Sequence, residues 1–307
     1  MSDFRFVVIG DSQGNQHGVD VKILYKILQQ VSSLDPQPDF LLFTGDLTEG
    51  DGDSNEELHY WREMVTDFYD ISMIYPAMGN HEPEEKTFAR VFSHLPDNGP
   101  PGFHRTAYMF DYGNSSFFCL NSNRSHKISG DQKEWLIKHL QHAYISEKKH
   151  LFVYFHHPAY PVGRHLGSSL DYHSYYRNVF WQIIDSYEVD LVFCGHEHNY
   201  SRRHINSAMD DELDGKKFVY NHDIYQIICG GGGAKLNNEA YSMKNVEVGP
   251  IKSYHYVVVD VEDHAVDVNV YDLDGDSLDA FSLDQSRNND QTNTKRFFLH
   301  GHLLRKK

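Results

Sequence analysis

The stretch DLVFCGHEHNY, residues 190–200, sets two histidines directly after a short apolar run. Four apolar residues lead into Gly195, and His196 and His198 follow with one glutamate between them. A short apolar run that ends at a glycine is consistent with a buried strand of a sheet. The pattern therefore predicts a strand that ends in two side chains of metal-ligand type.

Other apolar runs stop at polar residues of the same chemical kind: FRFVVIGD (4–11), DFLLFTGD (39–46), MIYPAMGNH (73–81) and LFVYFHH (151–157). Helical periodicity appears between the runs, at 19–31, 55–70, 129–144 and 174–187. Alternating strands and helices predict parallel or mixed sheets with helices on their outer faces, and ligands bind beyond the carboxyl ends of such strands. We expect one site there, built from Asp11, Asp46, Asn80, His81, His156, His196 and His198.

Composition limits the possible functions. The 307 residues suffice for one large domain or two small ones, and the formal net charge of -16 argues against a nucleic-acid partner. Three cysteines lie in apolar runs without CxxC spacing, which predicts reduced, buried thiols. Since strand pattern begins almost at once and no run is long enough to span a bilayer, we expect a soluble, cytoplasmic protein without a membrane partner. The oligomeric state stays open.

The pattern changes from about residue 217, where helical periods give way to short strand-like runs. We expect these runs to form a second, mostly antiparallel sheet packed on the first. The segment GGGGAK (230–235) lacks the continuation of a phosphate-binding loop, so it predicts a tight backbone passage near the site. The predicted division is a catalytic domain over 1–285 and a C-terminal tail over 286–307.

The clustered residue types indicate metal binding. Carboxylates at neighbouring strand ends would repel each other unless a cation lies between them. Oxygen and nitrogen ligands without thiolate suit transition metals such as Mn, Fe or Zn. Because the convergent ligands are too many for one ion, we expect two divalent or trivalent ions bridged by a carboxylate.

The motifs GDSQG, GDLTEGD, GNHE, FHHP and GHEH, in this order over residues 10–198, resemble the five signature blocks of the calcineurin-like metallophosphoesterase superfamily. GHEHNYSR is similar to the form found in its purple acid phosphatase branch. The resemblance implies an α/β fold, a four-layer α/β/β/α sandwich of two mixed sheets flanked by helices, around a dinuclear metal centre.

The resemblance also implies individual roles. Asp46 would bridge the ions, Asp11 and His198 would hold the first ion, and the second would be held by Asn80, His156 and His196. Where the family supplies one more ligand to the first ion, this sequence has Gln13 and Glu49, which do not match. Gln13 can offer its carbonyl oxygen, and His17 is a more remote candidate. We therefore expect a looser first ion and no purple colour.

In the implied mechanism the two ions make hydroxide available near neutral pH and neutralise charge on the phosphoryl group. His81 would act as general acid toward the leaving oxygen, with Glu82 or another carboxylate raising its pKa through a hydrogen bond. The alternative for His81 is a structural contact. His157 could face either the core or the cleft. Arg105, Arg164 or Arg202 could bind phosphate, although a surface role is favoured for each.

The favoured function is a phosphomonoesterase that acts on a phosphorylated small molecule or a phosphoprotein, with specificity set by the loops at 82–106 and 159–178. A phosphodiesterase for cyclic nucleotides or glycerophosphodiesters would use the same ligands. A non-catalytic scaffold that retains the fold is a further alternative, and only the departures at Gln13 and Glu49 support it.

Overall fold

The computed structural model of the chain describes residues 3–146, 148–209 and 211–284. The predicted tail 286–307 and the domain boundary at 285 lie outside the described residues. The α-helices are α1 (Val21–Val31), α2 (Ser54–Thr66), α3 (Glu85–Val91), α4 (Gly130–Ile145) and α5 (Ser174–Ser186), and 3₁₀ turns lie at Ile71–Met73, Leu170–His173 and Ser207–Met209. The strands are β1 (Phe4–Ile9), β2 (Gln13–Gln16), β3 (Phe40–Phe43), β4 (Ile74–Pro76), β5 (Tyr108–Tyr112), β6 (Ser115–Cys119), β7 (His150–Tyr154), β8 (Leu191–Cys194), β9 (Tyr200–Ile205), β10 (Glu212–Leu213), β11 (Lys216–Lys217), β12 (Ile224–Cys229), β13 (Val246–Ile251), β14 (His255–Val261), β15 (Ala265–Asp272) and β16 (Ser277–Asp284).

Thirteen of the described strands form two mixed sheets, as expected. One sheet has the order β16-β15-β14-β1-β3-β4, with β1, β3 and β4 parallel. The other has the order β13-β9-β12-β8-β7-β6-β5, with β6, β7, β8 and β12 parallel. The two short strands β10 and β11 pair with each other.

The layers follow from which face each residue buries. Between the sheets, the ring centroid of Phe6 in β1 lies 5.2 Å from those of Phe117 and Phe152 in the second sheet. On the outer face of the first sheet, Trp61 of α2 lies 4.8 Å from Phe43 of β3. Alternate residues of β6, β7 and β8 point to the outer face of the second sheet, where they pack with α4 and α5. The result is the predicted four-layer α/β/β/α sandwich, and burying each such aromatic ring stabilises it by about 1.5–3 kcal/mol.

The C-terminal strands are not a separate sheet, and that expectation is wrong. β12 pairs parallel with β8 in the second sheet, whereas β14 pairs antiparallel with β1 and extends the first sheet through β15 and β16. Without β14 and β12, β1 and β8 would each expose a row of unpaired backbone groups in the middle of the sandwich. The late strands therefore complete both sheets.

A short helix and a hairpin are among the elements that were not expected from the sequence. The segment 82–106 was predicted as loop, but it contains α3, which is only two turns long. The β5–β6 hairpin, with Tyr108 opposite Cys119, forms one edge of the second sheet. Elsewhere the helix predictions hold to within a few residues, because side-chain caps fix two of the starts: Asp20 Oδ1 accepts from Ile23 N (3.1 Å) and Asp53 Oδ1 from Asn55 N (2.9 Å).

The cysteine prediction is confirmed, since Cys119, Cys194 and Cys229 are free and buried. Over the described ranges, the helices lack the combination of length and apolar sequence that crossing a bilayer requires.

Candidate metal centre

The loops that follow β1, β3, β7 and β8 are joined by hydrogen bonds at the carboxyl ends of these strands. Asp11 N donates to Gly45 O (3.0 Å) and Gly195 N donates to His156 O (3.0 Å). Across the gap between the sheets, His196 N donates to Asp11 Oδ1 (2.9 Å). The structure thereby brings together the predicted residues Asp11, Gln13, Asp46, Asn80, His81, His156, His196 and His198.

Three of these residues adopt backbone conformations that are unusual for side-chain-bearing residues. The φ angles of Asp11, Asp46 and His196 are 61°, 51° and 71°, in the left-handed region. Such a conformation costs of the order of 1–3 kcal/mol at a non-glycine residue and is concentrated at functional sites. The surrounding hydrogen bonds hold these strained positions in place.

One half of the centre surrounds the Nε2 atom of His156. This atom lies 3.0 Å from Asn80 Oδ1, 3.1 Å from His196 Nδ1 and 3.1 Å from Asp46 Oδ2. On the other side of the ring, Nδ1 lies 2.9 Å from Thr44 O and must donate to it, because a carbonyl only accepts. In the neutral ring the Nε2 lone pair therefore faces the gathered atoms. We refer to Asn80, His156, His196 and Asp46 as the tight group.

The tight group is an arrangement of acceptors that needs a cation or a proton. A carboxylate oxygen, an amide oxygen and the lone pair of a neutral imidazole repel one another at 3 Å. In the metal-free chain a proton on His156 relieves this repulsion: although burial opposes it, Asp46 raises the pKa of His156 to about 9. A transition metal ion would replace that proton, and nitrogen and oxygen donors of this kind suit one.

The second half of the centre is built around His198. Its Nδ1 donates to Lys235 O (3.1 Å), which leaves Nε2 facing Asp11 Oδ1 at 3.6 Å and Gln13 Nε2 at 3.4 Å. Gln13 Nε2 also lies 3.3 Å from Asp46 Oδ2. We refer to Asp11, Gln13, His198 and Asp46 as the loose group, since its atoms are farther apart. Asp46 belongs to both groups, as a bridging carboxylate would.

The further ligand of the first ion was uncertain, and the structure separates the candidates. The buried Gln13 turns Nε2 toward Asp46 and His198, and its Oε1 has no hydrogen-bond partner, so a flip of the side-chain amide would present the oxygen as a ligand. Glu49 lies beside His81 instead, with Oε1 3.9 Å from His81 Nδ1. His17 is exposed and its ring contacts Tyr60 at 4.7 Å. Of the three, Gln13 is the one that contacts the loose group.

The two carboxylates of the centre differ in acidity. Burial raises the pKa of Asp11 to about 8; His156 opposes this and the negative Asp46 adds to it. Burial acts on Asp46 in the same direction, but the charge and hydrogen bond of His156 hold the pKa of Asp46 well below its usual range. Asp46 is therefore ionised, and the buried Asp11 becomes a good ligand only when a cation compensates its charge.

Glu82 holds the Asp46 loop: its buried carboxylate accepts backbone N–H bonds from Asp46 (3.0 Å), Leu47 (2.8 Å) and Gly79 (2.7 Å). Of the expected alternatives, the hydrogen bond between Glu82 and the His81 ring is therefore wrong. Against burial, which lowers the pKa of His81, the carboxylate that chiefly raises it is that of Asp46, acting through its charge. Glu82 thus fixes the backbone that carries Asp46 beside the loop that carries Asn80.

His81 itself is oriented by a backbone carbonyl. The ring Nδ1 donates to Glu49 O at 2.6 Å, and the backbone N–H of His81 donates to Asp46 Oδ1 at 2.9 Å. The side chain is 32% exposed. Burial lowers the pKa of His81, but Asp46 and the Glu49 carbonyl outweigh burial and raise it above the usual value. When the ring is protonated, its Nε2–H points away from the Glu49 carbonyl.

Two further histidines lie beside the tight group. His157 faces the cleft side of the strand end, with its ring 4.4 Å from that of His196, and its Nδ1 is 3.0 Å from Ser122 Oγ. The ring of His165 lies 3.9 Å from that of His196, and its Nε2 is buried without a partner. His165 is not recognisable as a site residue from the sequence, because a histidine in a long loop carries no spacing signal.

Of the three candidate arginines, one remains near the centre. Arg202 donates to Asp279 Oδ2 (2.7 Å), as does the hydroxyl of Tyr200 (2.7 Å), so this pair ties β9 to β16. Arg105 forms an ion pair with Asp97 at 3.6 Å. Arg164 is exposed next to His165, and its charge helps to lower the pKa of both His165 and His198, where burial is the largest cause.

The glycine run is a tight backbone passage, as predicted. Gly232 N donates to Gly10 O (2.7 Å), and Ala234 N donates to Asp11 O (2.9 Å). A Cβ atom at Gly230 would collide with Glu197 O, and one at Gly232 would lie 2.5 Å from Gly10 O. The passage thus supports the backbone of Asp11 and leaves no room for side chains.

Comparison with known proteins agrees with this geometry. The family model described as calcineurin-like phosphoesterase matches residues 4–200. The chain belongs to the calcineurin-like phosphoesterase family, a family of hydrolases that depend on a dinuclear metal centre.

Two curated relatives are purple acid phosphatase 15 of Arabidopsis thaliana and a probable glycerophosphodiester phosphodiesterase, GpdQ, of Arcobacter nitrofigilis. The first is 28% identical over 61% of this chain and 34% of its own length, and the second is 29% identical over 60% of this chain and 65% of its own length. The matches thus span less than two thirds of these relatives. A solved purple acid phosphatase from yellow lupin (Lupinus luteus) seeds has the same fold, with a TM-score of 0.71 at 16% identity over 92% of this chain and 54% of that chain.

Proposed function

We propose that this protein is a metal-dependent phosphomonoesterase with two metal sites that share Asp46. The first site consists of Asp11, Gln13 and His198 with Asp46, and the second of Asn80, His156 and His196 with Asp46. The observation that carries the proposal is the acceptor cluster around His156 Nε2, at 3.0–3.1 Å from three further ligand-type atoms. Oxygen and imidazole donors without thiolate favour Mn, Fe or Zn.

When bound, two such ions would activate water near neutral pH and offset the charge of the phosphoryl group. The protein's own contribution is preorganisation. Thr44 O and Lys235 O fix the tautomers of His156 and His198, so both Nε2 atoms face the site. Glu82 keeps the Asp46 loop against the Gly79 loop, which fixes the separation of the two groups.

His81 is proposed as the general acid. Its Nδ1 is held by Glu49 O, so the protonated ring offers Nε2–H, on a partly exposed side chain, to a leaving oxygen. Nε2 is also 3.9 Å from Asp46 Oδ2, which keeps the acid next to the shared carboxylate. A positioned acid of this kind is worth about 10² to 10⁴ in rate.

Relatives of both kinds are similar to this chain. The 28% identity to purple acid phosphatase 15 over 61% of the chain supports a phosphatase. The 29% identity to the probable glycerophosphodiester phosphodiesterase supports a diesterase as the second candidate. The proposed substrates are phosphorylated small molecules or phosphoproteins.

The test compares hydrolysis of p-nitrophenyl phosphate with that of its bis ester, using metal-depleted protein supplied with Mn, Fe, Zn or no metal. We expect metal-dependent turnover with faster hydrolysis of the monoester. Faster hydrolysis of the bis ester would replace the monoesterase by the diesterase. Absence of turnover with every metal, in protein that binds the metals, would favour a scaffold that has kept the fold.

A cytoplasmic location is part of the proposal. It is supported by the free, buried state of Cys119, Cys194 and Cys229, which fits a reducing compartment. Fractionation of the source cells with antibody detection tests it, and recovery in a membrane or secreted fraction would contradict it.

A further inference from the structure

Arg164 differs from the other arginines in the described part of the chain, each of which donates to a protein acceptor. Ion pairs with carboxylates are formed by Arg5, Arg105, Arg124, Arg177 and Arg202. Arg62, Arg90 and Arg203 donate to backbone carbonyls or to an amide oxygen. Arg164 forms no ion pair or side-chain hydrogen bond with any residue that the structure describes. In a chain with 44 acidic and 28 basic residues, an arginine whose side chain has no protein acceptor is unexpected.

The backbone at Arg164 is held against the candidate metal centre and is not part of a free loop. The backbone N–H groups on either side, from Gly163 and His165, both donate to Glu197 Oε1 at 3.0 Å. Glu197 is fully buried between the ligand residues His196 and His198. The loop that carries Arg164 is therefore anchored to the strand end that supplies two of the ligands.

Arg164 lies at the rim of the centre. It adjoins His165, whose ring lies 3.9 Å from that of His196 and 6.2 Å from that of His198, and Arg164 itself is exposed. Lys235 extends the positive rim: its backbone oxygen accepts from His198 Nδ1, it is exposed, and no carboxylate of the described residues pairs with it. A charge at the rim meets the part of a substrate that projects from the centre rather than the reacting phosphoryl group.

We propose that Arg164 binds a second anionic group, a carboxylate or a phosphate, carried by the alcohol part of the phosphoester substrate. A guanidinium presents paired donors that match either anion, and no described protein group competes for them. The substrate class is thus a phosphoester of an alcohol that is itself an anion. This inference deepens the proposed function and depends on it.

The experiment uses the metal-loaded full chain and matched esters of the same carbon length. One set is ethyl phosphate, phosphoglycolate and ethylene glycol bisphosphate, and a longer set is hexyl phosphate with the corresponding carboxylate and bisphosphate. We expect Arg164→Ala to lower kcat/KM about fivefold for the carboxylate or bisphosphate esters, mainly through KM, as for an exposed but bidentate ion pair. Hydrolysis of ethyl phosphate and hexyl phosphate, whose alcohol part carries no charge, should not change.

Two variants separate binding from structural effects. Arg164→Lys keeps the charge without the planar fork and should retain part of the preference. Arg90→Ala removes a surface arginine of α3 that donates to Asn55, and it should not change kcat/KM for any of the esters. The preferred series, carboxylate or bisphosphate, identifies the second anion.

Equal losses in Arg164→Ala on the esters with and without a second anionic group, or no loss on either, would overturn the inference. The phosphatase assignment would still stand. Failure of the proposed function looks different, because the wild-type protein would then hydrolyse none of these esters.

Discussion

The two groups of the candidate centre share Asp46 but differ in how closely their atoms approach. In the tight group, His156 Nε2 has three neighbours at 3.0–3.1 Å, and the ring is fully buried. In the loose group the corresponding distances are 3.3–3.6 Å, and His198 retains 16% side-chain exposure. The difference teaches that the fold places the ligand-type atoms of the tight group closer together than those of the loose group, and we expect the loose group to hold its ion more weakly.

The largest effect is expected from Asp46→Asn, which acts on both groups. Removing the shared charge should lower affinity for both ions by more than about 100-fold, since even outer contacts to metal ligands are worth 10–100-fold. Elemental analysis of the purified variant measures the loss. The amide can still accept the His81 N–H bond, so circular dichroism should show an intact fold. Retention of both ions at full occupancy would mean that Asp46 does not bridge them.

His81→Ala should remove chemistry without removing metal from the tight group. We expect kcat to fall by about 10² to 10⁴ for an alkyl phosphate and by much less for p-nitrophenyl phosphate, because the alkoxide needs a proton to depart. Rates on the two esters are measured beside metal content. Equal losses on both esters, or loss of metal from the neighbouring Asn80 site, would assign His81 a structural role instead.

Glu82→Gln probes the hydrogen bonds that hold the two groups at their separation. The neutral amide has one acceptor oxygen, so it cannot serve Asp46 N and Gly79 N, which share Oε2, and also Leu47 N, which donates to Oε1. We expect metal affinity and activity to fall by about 10–100-fold, as for other contacts that orient ligands. Glu84→Gln, at the start of α3, is the matched control and should have little effect. An unchanged metal affinity in Glu82→Gln would show that the loop is held by other contacts.

The smallest effect is expected from Gln13→Ala, which acts on the loose group alone. Dissociation of one ion should accelerate by about tenfold, at the lower end of the range for outer contacts, while the second ion keeps its affinity. Metal release to a chelator, followed over time, separates the two ions. The reverse change, Gln13→His, should slow release of the first ion by supplying a stronger nitrogen donor. Equal acceleration for both ions in Gln13→Ala would remove the distinction between the groups.

Much of this centre was predictable because its signals are local. Each apolar run and the ligand residues after it occupy one short stretch, as in the segment from Leu191 to His198, and strand ends of one sheet meet at one edge. The pairing of β12 with β8 and of β14 with β1 was not predictable, since strand partners depend on contacts distant in sequence. For the same reason the hydrogen bond from His198 to Lys235 O and that from Arg202 to Asp279 were not predictable.

The glycine passage at 230–233 also limits how the lining of this site can diversify. Because any side chain at Gly230 or Gly232 would meet the backbone of Glu197 or Gly10, this wall of the site cannot change its lining by substitution. New substrate preferences must then arise on the opposite loops, above all in the stretch that carries Arg164. A library for altered selectivity should therefore randomise residues 164–173 and keep 230–233 constant.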